Sequence, residues 1–533
     1  MERPLRTAAA VLALAVPASA QLHFVQKTPA EIGAAMTLEI TNALPGTPLY
    51  LLGWGALGPV PGGSMPPYLG VRMILPLGTS NGSGALTVAL PIPDSSALLG
   101  QVLPMRIKGF GAAPGGGTLS NPLAAWFGPH PVSVSPTPES SGSLGWSVAI
   151  GDFVGTSAVD VAVGAVLETV SGAFGAGKVH IYAGPSFTSI TTITSPAPSI
   201  GGDFGWALTA LDWNGDGATD LAVGEPGKDG LFPLTNIGAV HVFVHPVGSA
   251  GVSTYTDPTP VALEQMGVSL AAATLDLTPS DELVVGASFH GASQPPGVFA
   301  KVKILGYTGG VPTFSEVSDP TLAEGLFGHC VAAGDVDGDG FDEVLVGEPN
   351  HDEPGAFDCG AVHLFDGGVL SLTLIDDAPA TGEKLGTSVA IGDLDGDGLG
   401  DLLTGVLLEN QAQLYLAPSF TAATPILLPP AHPGDIHGGR AVAIADVNGD
   451  GKLDALVAAG SCTGPGFGVV CGSVTAYLGL SLAATTYVAD SEILPWALAA
   501  GDVDGDGRAE IAVGHPGASP MFLSGAGAFL LSE

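Results

Sequence analysis

The chain has 533 residues, among them 80 glycines and 44 prolines, and only 12% of its residues are charged. Its 51 acidic and 14 basic residues give a net charge of −37, which disfavours binding to nucleic-acid phosphates or to anionic membrane surfaces. Short Val, Leu, Ile and Ala runs alternate with Gly- and Pro-rich turns, and no long stretch shows helical periodicity. The sequence therefore predicts an all-β protein, and its length favours a fold built from repeats.

Residues 1–20 have the order of a secretory signal peptide. Arg3 and Arg6 flank an apolar stretch at 7–16, and a small-residue cleavage site follows at 18–20. A buried core helix is the alternative, but it does not account for this order of segments. No later apolar run approaches the ~18 residues that span a bilayer, so no transmembrane anchor is expected. We predict a protein that is secreted, or held at the cell surface or in the periplasm.

Residues 21–128 lie outside any repeat. The segment 36–40 alternates apolar and polar residues, 85–90 is a second strand candidate, and Gly- and Pro-rich clusters separate such segments. These patterns predict a small antiparallel β domain that resembles a sandwich. It carries no cluster of His, Asp and Glu, which favours a spacer or an adhesive module.

Residues 129–533 contain seven repeats with a period of about sixty residues, enough for the four strands of one propeller blade. Each repeat has a run of small apolar residues, an acidic loop and a second apolar run, which in six of the seven ends in Gly. A solenoid is the alternative, but it needs shorter repeats and polar caps. We predict a seven-bladed β-propeller whose last blade is completed by a closure strand near 130–135. The acidic loops, numbered 1 to 7, open at Asp152, Asp212, Asp276, Asp335, Asp393, Asp446 and Asp502.

Five of these loops share the pattern D-x-[DN]-G-D-G-x-x-[DE], in which positions 1, 3, 5 and 9 carry side-chain oxygens and position 7 offers a carbonyl. In the order 1, 3, 5, 7, 9 the predicted ligands are Asp212, Asn214, Asp216, Ala218 and Asp220 in loop 2, and Asp335, Asp337, Asp339, Phe341 and Glu343 in loop 4. They are Asp393, Asp395, Asp397, Leu399 and Asp401 in loop 5, and Asp446, Asn448, Asp450, Lys452 and Asp454 in loop 6. In loop 7 they are Asp502, Asp504, Asp506, Arg508 and Glu510.

Such a set of hard oxygens matches the six to eight oxygen ligands of Ca²⁺, whereas Mg²⁺ tends to keep several waters. Helical EF-hands are excluded, because position 12 falls in the following apolar strand and carries no Glu. A single D-G-D-G sequence is often only a solvated turn, but five in register favour about five calcium sites. Loop 1 keeps only Asp152 and Asp160, and loop 3 has Asp276, Asp281 and Glu282 without the glycines. We expect neither to bind calcium tightly.

Four cysteines in an exported chain favour disulfides over metal ligation. Cys462 and Cys471 bracket one loop, and Cys330 and Cys359 lie in one repeat. We predict these two pairs, although four cysteines allow three connectivities.

The repeats resemble the FG-GAP repeats of the integrin α-subunit propeller. The FG element stands as Phe204-Gly205 and Phe327-Gly328, and the GAP element as Gly224-Glu225-Pro226 and Gly347-Glu348-Pro349. The resemblance implies seven blades, cations on one face and partner binding on the opposite face. No metal-dependent adhesion domain is inserted between the blades.

We therefore predict a non-enzymatic, monomeric recognition, adhesion or structural module that binds extracellular protein or polysaccharide through the loops 225–236, 348–358 and 461–470. The alternative is a calcium-dependent extracellular enzyme, such as a polysaccharide lyase or a phospholipase. Its candidate groups are His432 and His437 near Asp435, and His351 beside Asp352 and Glu353. We interpret all of them as ordinary loop side chains, since such short patterns are weak evidence.

Overall fold

The computed structural model describes most residues from 143 to 516, and only the backbone of strands before 143 and after 516. Strands 423–427 and 483–490 are also described by backbone alone. The gaps between 143 and 516 are 157, 185–186, 188, 232–233, 249–250, 289–299, 309–310, 321–324, 377–378, 408–410, 421–422, 428–437, 461–471, 480–482, 491–494 and 504. The described residues form β-strands and no α-helix, which confirms the all-β prediction.

The chain divides into two compact units, and the first consists of Met1–Val132 with Leu523–Gly525 and Ser532–Glu533. One of its sheets has six strands in the order β1-β8-β7-β4-β5, with β9 also paired to β7, and the other has the order β2-β3-β6. The strands are β1 (Val11–Leu14), β2 (His23–Gln26), β3 (Ala35–Thr41), β4 (Pro48–Gly53), β5 (Met73–Thr79), β6 (Leu86–Pro91), β7 (Val102–Gly109), β8 (Thr118–Leu119) and β9 (Leu123–Trp126). A sandwich over 21–128 stays a prediction. So does the signal peptide, whose segment contains β1.

The second unit, Ser133–Phe522 with Ala526–Leu531, contains the repeats. Six blades each consist of four antiparallel strands that follow one another in the chain. Blades 1 to 3 are β11 (Leu144–Gly151), β12 (Asp160–Ala165), β13 (Lys178–Ala183), β14 (Ser189–Ile193); β15 (Leu208–Leu211), β16 (Asp220–Glu225), β17 (Ala239–Phe243), β18 (Val252–Tyr255); and β19 (Met266–Ala273), β20 (Glu282–Ala287), β21 (Lys301–Thr308), β22 (Val311–Ser318). Blades 4 to 6 are β23 (Cys330–Gly334), β24 (Glu343–Glu348), β25 (Ala361–Asp366), β26 (Val369–Leu374); β27 (Leu385–Gly392), β28 (Asp401–Val406), β29 (Gln411–Tyr415), β30 (Ala423–Leu427); and β31 (Ala441–Ala445), β32 (Asp454–Gly460), β33 (Gly472–Leu478), β34 (Ala483–Asp490).

The seventh repeat differs from the other six. It supplies only three strands, β35 (Ala497–Gly501), β36 (Glu510–His515) and β37 (Gly527–Leu531), and its fourth strand is β10 (Ser133–Val134), paired antiparallel to β37. Six blades are therefore continuous in the chain where seven were predicted, and the seventh repeat forms a composite sheet with β10.

The first strand of each repeat is innermost, because it contacts the first strands of both neighbouring repeats; β35, for example, contacts β31 and β11. The second strands are buried along their whole length, whereas most residues of the fourth strands β18 and β26 are exposed or half-buried. This explains why the second runs are continuously apolar, since sheets of neighbouring blades cover both of their faces.

The FG and GAP glycines meet between neighbouring blades. A Cβ on the GAP glycine would lie only 1.8 to 2.4 Å from the FG carbonyl oxygen of the next blade, so a side chain cannot be accommodated. The last pair, Gly514 and Gly145, joins the seventh repeat to blade 1. The pairs are Gly164 with Gly205, Gly224 with Gly267, Gly286 with Gly328, Gly347 with Gly386, Gly405 with Gly439, and Gly514 with Gly145.

The hydroxyl two residues after the FG glycine reinforces this contact. Ser147 Oγ donates to Gly205 O at 2.7 Å, and Ser388 Oγ donates to Gly439 O at 2.8 Å. In blade 4 this position is Cys330, whose Sγ donates to Gly386 O at 3.1 Å.

The predicted Cys330–Cys359 disulfide is therefore wrong. Both thiols are free, because Cys330 takes the place of the bridging serine and Cys359 Sγ donates instead to His351 O at 3.3 Å. Cys462 and Cys471 lie outside the described residues.

Candidate metal loops

Each acidic loop is folded by its own side chains, as loop 5 shows. The position-1 carboxylate accepts backbone N–H bonds from positions 4 and 6: Asp393 Oδ1 from Gly396 at 2.6 Å, and Oδ2 from Gly398 at 2.9 Å. Both glycines have positive φ, +81° and +92°, a conformation that favours a residue without Cβ. The same position-1 bonds occur in loops 2, 4, 6 and 7.

Positions 3 and 5 each use one oxygen for the loop. Asp395 Oδ1 accepts the N–H of Asp397 at 3.0 Å, and Asp397 Oδ1 accepts the N–H of Leu399 at 2.9 Å. No described residue donates to their Oδ2 atoms. Those oxygens are available to a cation.

Position 9 has a structural task besides the ligand role predicted from the sequence, which stays a prediction. Asp401 is fully buried and accepts two backbone N–H bonds, from Leu394 at 2.9 Å and from Ala417 after the third strand, also at 2.9 Å. It therefore fastens the base of the loop to the third strand. Burial raises the pKa of Asp401, and the carboxylates of Asp395 and Asp393 add to that rise.

Loops 4 and 5 bring three carboxylates together. In loop 5, ligand oxygens of Asp393, Asp395 and Asp401 all lie within 4.8 Å of one another, and in loop 4 those of Asp335, Asp337 and Asp339 do so. These all-oxygen groups fit a hard cation such as Ca²⁺.

Loop 4 contains an acid that sequence reasoning missed. Asp337, Glu343 and Asp366 form a second group with oxygens within 4.8 Å. Burial raises the pKa of Glu343 to about 7, and Asp337 and Asp366 contribute through their like charge. Asp366 ends the third strand, 23 residues after Glu343, and the repeat pattern held no signal for it.

Loops 2, 6 and 7 keep the same backbone fold but are not among the three-carboxylate groups of the described residues. In loops 2 and 6, position 3 is Asn214 or Asn448, and in loop 7 Asp504 lies outside the described residues. Burial raises the pKa of Asp220 in loop 2 to about 6, with Asp216 and Asp212 adding to it.

Position 7 is oriented by the loop in all five cases, because its N–H donates to the position-5 carboxylate. The donors are Ala218, Phe341, Leu399, Lys452 and Arg508, each at 2.9 Å. Ligation by their carbonyl oxygens stays a prediction.

Loop 3 is in register with the others, which corrects the assignment of its first position. Glu282 occupies position 9, since it accepts the N–H of Leu275 at 2.8 Å, so position 1 is Thr274 and Asp276 stands at position 3. Loop 1 likewise keeps position 9, because Asp160 accepts the N–H of Phe153 at 2.8 Å.

Backbone hydrogen bonds connect neighbouring loops. In four pairs of neighbouring loops, the N–H at position 8 donates to the position-1 carbonyl of the preceding loop. These bonds link loops 2, 3, 4 and 5 in series, and loop 6 to loop 7. The pairs are Asp281 to Asp212 O at 2.8 Å, Asp342 to Thr274 O at 2.9 Å, Gly400 to Asp335 O at 2.8 Å and Ala509 to Asp446 O at 2.8 Å.

The loops between second and third strands lie at the opposite end of the blades, because the strands are antiparallel. Three of them expose large apolar side chains, Phe174 at 56%, Leu231 at 89% and Phe357 at 66%. Of the loops predicted to bind partners, 225–236 and 348–358 lie at this end, and 461–470 lies outside the described residues.

Beneath these loops are buried acid–histidine pairs that the sequence analysis missed. Glu225 Oε2 lies 2.6 Å from His241 Nε2, and His241 Nδ1 lies 2.9 Å from Thr254 Oγ1. Blades 1 and 4 repeat the arrangement with Glu168, His180 and Thr192, and with Glu348, His363 and Thr373. The signal was the recurring V-H-x-[YF] of the third strands, with a Glu at or soon after the second strand.

Of the histidines considered as catalytic groups, the structure describes only His351. His351 Nδ1 lies 3.1 Å from Glu348 Oε2, a contact that raises the pKa of His351. His351 therefore belongs to the buried pair of blade 4. His432, His437 and Asp435 lie outside the described residues.

Comparison with known proteins agrees with this geometry. The FG-GAP repeat family matches residues 204–243, 327–365, 385–416 and 494–531. The chain contains FG-GAP repeats and resembles integrin α propellers.

Three relatives illustrate the likeness of this FG-GAP chain. It is 28% identical to phosphatidylinositol-glycan-specific phospholipase D of Rattus norvegicus over 32% of the chain and 23% of the relative. It is 27% identical to integrin alpha-PS2 of Drosophila melanogaster over 42% and 16%, and 31% identical to integrin alpha-8 of Gallus gallus over 27% and 15%. The match thus spans about a quarter or less of each relative's length. No helix in the described part of the chain has the length and apolarity to cross a membrane.

Proposed function

We propose that this FG-GAP propeller is a secreted or surface-held recognition module that binds calcium at one end and an extracellular protein or polysaccharide at the other. In this proposal the seven repeats act as a seven-bladed ring, residues 21–128 form an accessory β domain, and the protein is a monomer released after cleavage near Gln21.

The separation of the two ends carries the proposal. Carboxylates gather in the acidic loops, whereas the opposite end exposes Phe174, Leu231 and Phe357 on loops that differ in length and sequence. Variable loops on a rigid scaffold are common positions for binding groups, and exposed apolar side chains there support contact with a partner.

Calcium at loops 2, 4, 5, 6 and 7 would stabilise the scaffold. The free oxygens at positions 3 and 5 of loop 5 and the crowded carboxylates of loops 4 and 5 support this assignment. We expect equilibrium dialysis to find about five bound calcium ions per chain, and Asp395→Ala to remove one.

A loop-end variant tests the recognition role. The triple variant Phe174→Ser, Leu231→Ser, Phe357→Ser should lose binding to ligands identified on glycan and secreted-protein arrays. Its matched control is Leu277→Ser, which alters a side chain that is 92% exposed at the acidic-loop end. Binding that survives the triple variant, or that is lost equally in the control, would contradict the assignment of the binding face.

A calcium-dependent extracellular enzyme is the second candidate function, and the likeness to a phospholipase D favours it. The acid–histidine pairs of blades 1, 2 and 4 do not support it, because their carboxylates and third-strand imidazoles are buried. Release of sugar ends from polysaccharides, or of a phosphorylated headgroup from a glycosylated phosphatidylinositol, would establish the enzyme in place of the recognition module.

A further inference from the structure

Four neighbouring repeats place aromatic or cationic side chains at the start of their inner strands. The residue that follows the FG glycine is Arg440 in blade 6, Trp146 in blade 1 and Trp206 in blade 2, and the equivalent residue of the seventh repeat is Trp496. The ring centroids of Trp146 and Trp206 are 4.6 Å apart, and those of Trp146 and Trp496 are 4.8 Å apart. Arg440 Cζ lies 3.3 Å from the ring centroid of Trp496. We call these four residues the axial arc.

The axial arc is at the end where we place partner binding. Inner strands run from the FG glycine towards the acidic loop, so their first residues lie opposite the acidic loops and next to the propeller axis. All four side chains are half-buried, which leaves part of their surface accessible.

Arg440 has no anionic partner among the described residues. Its one described contact is the stacking on Trp496, which uses the face of the guanidinium and leaves its in-plane N–H donors free. Burial lowers the pKa of Arg440 to about 10, still well above neutral pH, so the group stays charged. A half-buried cation that meets no carboxylate in the described part of the chain is notable in a protein with 51 acidic residues.

We propose that the axial arc binds a sugar unit that carries a carboxylate, within an otherwise neutral polysaccharide. The indole faces of Trp146 and Trp206 stack on the C–H faces of sugar rings, and the in-plane N–H groups of Arg440 bind the carboxylate as a bidentate pair. This rests on the proposed recognition function and names its ligand class.

Charge favours this occupant over an acidic peptide or a fully charged polymer. The protein has a net charge of −37, which repels a ligand with many negative charges, while a single carboxylate between neutral sugars meets the guanidinium of Arg440. Indole stacking with neutral sugars needs no charge and so is not weakened by the surrounding acidic surface.

The test uses the full chain with calcium and a tetrasaccharide of three glucose units and one internal glucuronic acid, and binding is followed by the indole fluorescence of the protein. The neutral control ligand is the same tetrasaccharide after reduction of its carboxyl groups. We expect the acidic ligand to bind about ten- to a hundred-fold more weakly to Arg440→Gln than to the parent, because one charge-assisted pair is lost. Arg440→Lys should recover part of the loss, and the neutral ligand should bind both forms alike.

Several results would overturn the axial-arc proposal. Equal binding of acidic and neutral ligands by the parent chain is one, and an Arg440→Gln variant that binds like the parent is another. Preference for a carboxylate-bearing peptide over the tetrasaccharide would assign the arc to protein instead. The melting temperature of Arg440→Gln should equal that of the parent, which checks that folding is intact. Trp146→Phe is a second variant for the same measurement.

The outcome also separates this inference from the proposed function. If array ligands are lost in the triple loop variant but retained in Arg440→Gln, the axial arc is not the site and the recognition role stands. If no array ligand binds the parent chain at all, the recognition role itself is wrong.

Discussion

Replacing Asp395 by Asn should change stability in opposite directions with and without calcium. Asp395 is position 3 of loop 5, and its Oδ1 accepts the N–H of Asp397, a bond that an Asn side chain can retain. The substitution therefore removes one negative charge while the loop keeps its hydrogen bonds. Loops 2 and 6 already carry Asn214 and Asn448 at this position, which shows that the backbone accommodates it.

The magnitude follows from the distances in loop 5. Oxygens of Asp393, Asp395 and Asp401 lie within 4.8 Å of one another, so Asp395 takes part in two of the three repulsive pairs. At that separation one pair costs about 0.9 kcal/mol in a water-like dielectric and about 3.5 kcal/mol at an effective dielectric of 20. Since Asp393 and Asp395 are half-buried, we expect the variant to be about 2 kcal/mol more stable than the parent in chelator.

With calcium the sign reverses, because a charged ligand of the cation is lost. At a calcium concentration a hundred times the dissociation constant of the site, the ion stabilises the parent by about 2.7 kcal/mol. A variant that no longer binds calcium at that concentration lacks this stabilisation, and the loss exceeds its gain of about 2 kcal/mol. Denaturant unfolding of parent and variant, in chelator and in millimolar calcium, measures both differences.

The matched control is Asp276→Asn at position 3 of loop 3, where positions 1 and 5 are Thr274 and Thr278. Asp276 also accepts the N–H two residues ahead, from Thr278, at 2.6 Å. We expect this control to change stability little, and equally in both conditions. If Asp395→Asn destabilises the chain by the same amount with and without calcium, its carboxylate acts only as a loop hydrogen-bond acceptor and the calcium assignment of loop 5 fails.

Three further predictions follow from the described contacts. In chelator, stability should fall as the pH rises from 4.5 to about 7, because the folded chain raises the pKa of Glu343 to about 7 and so favours its protonated form. Melting temperatures at several pH values check this, and a stability that rises over this range would contradict it. His241→Ala should destabilise the chain by about 3–5 kcal/mol by leaving Glu225 buried without its imidazole, and adding Glu225→Ala should recover part of that loss in denaturant unfolding. Peptide mapping after alkylation of the unreduced, unfolded protein should find Cys330 and Cys359 both as thiols, and a cross-linked peptide would refute this.

The strand pattern and the acidic loops were predictable because each depends on local residues. Alternating Gly-rich loops and apolar runs predicted the strands, and the D-G-D-G spacing predicted tight acidic loops with calcium ligands. The hydrogen bonds by which the carboxylates fold these loops were not predicted. Contacts between repeats were not predictable in the same way. The free thiol of Cys330 depends on the carbonyl of Gly386 in the next blade, and Asp366 reaches loop 4 only through the pairing of the third strand.

The sequence pattern did not identify the residue that sets the register of loop 3. The sequence pattern opens this loop at Asp276, but the structure places Thr274 at position 1. The deciding residue is Glu282, whose burial and bond to the N–H of Leu275 define position 9. A buried acid at the start of the second strand is therefore a better marker of the repeat than the first acid of the loop.

The position-9 acid separates folding of the loop from binding of a cation. In all seven repeats this acid is buried and accepts the N–H of position 2, including Asp160 and Glu282 in the two loops that lack the full ligand pattern. If the acid served calcium alone, loops 1 and 3 would have no reason to bury it, since an unpaired buried carboxylate is costly. It is retained because the fold needs it.

The bonds between position 8 of one loop and position 1 of the preceding loop also show that folding of the acidic-loop end is separate from cation binding. Loop 3 has no D-G-D-G sequence, yet Asp281 bonds to Asp212 O in loop 2 and Asp342 bonds to Thr274 O from loop 4. The connection between loops 2 and 4 thus passes through a loop in which we expect no tight calcium site. Positions 3 and 5 are then the residues free to differ between repeats, so calcium occupancy can vary from loop to loop while these backbone bonds keep neighbouring blades together.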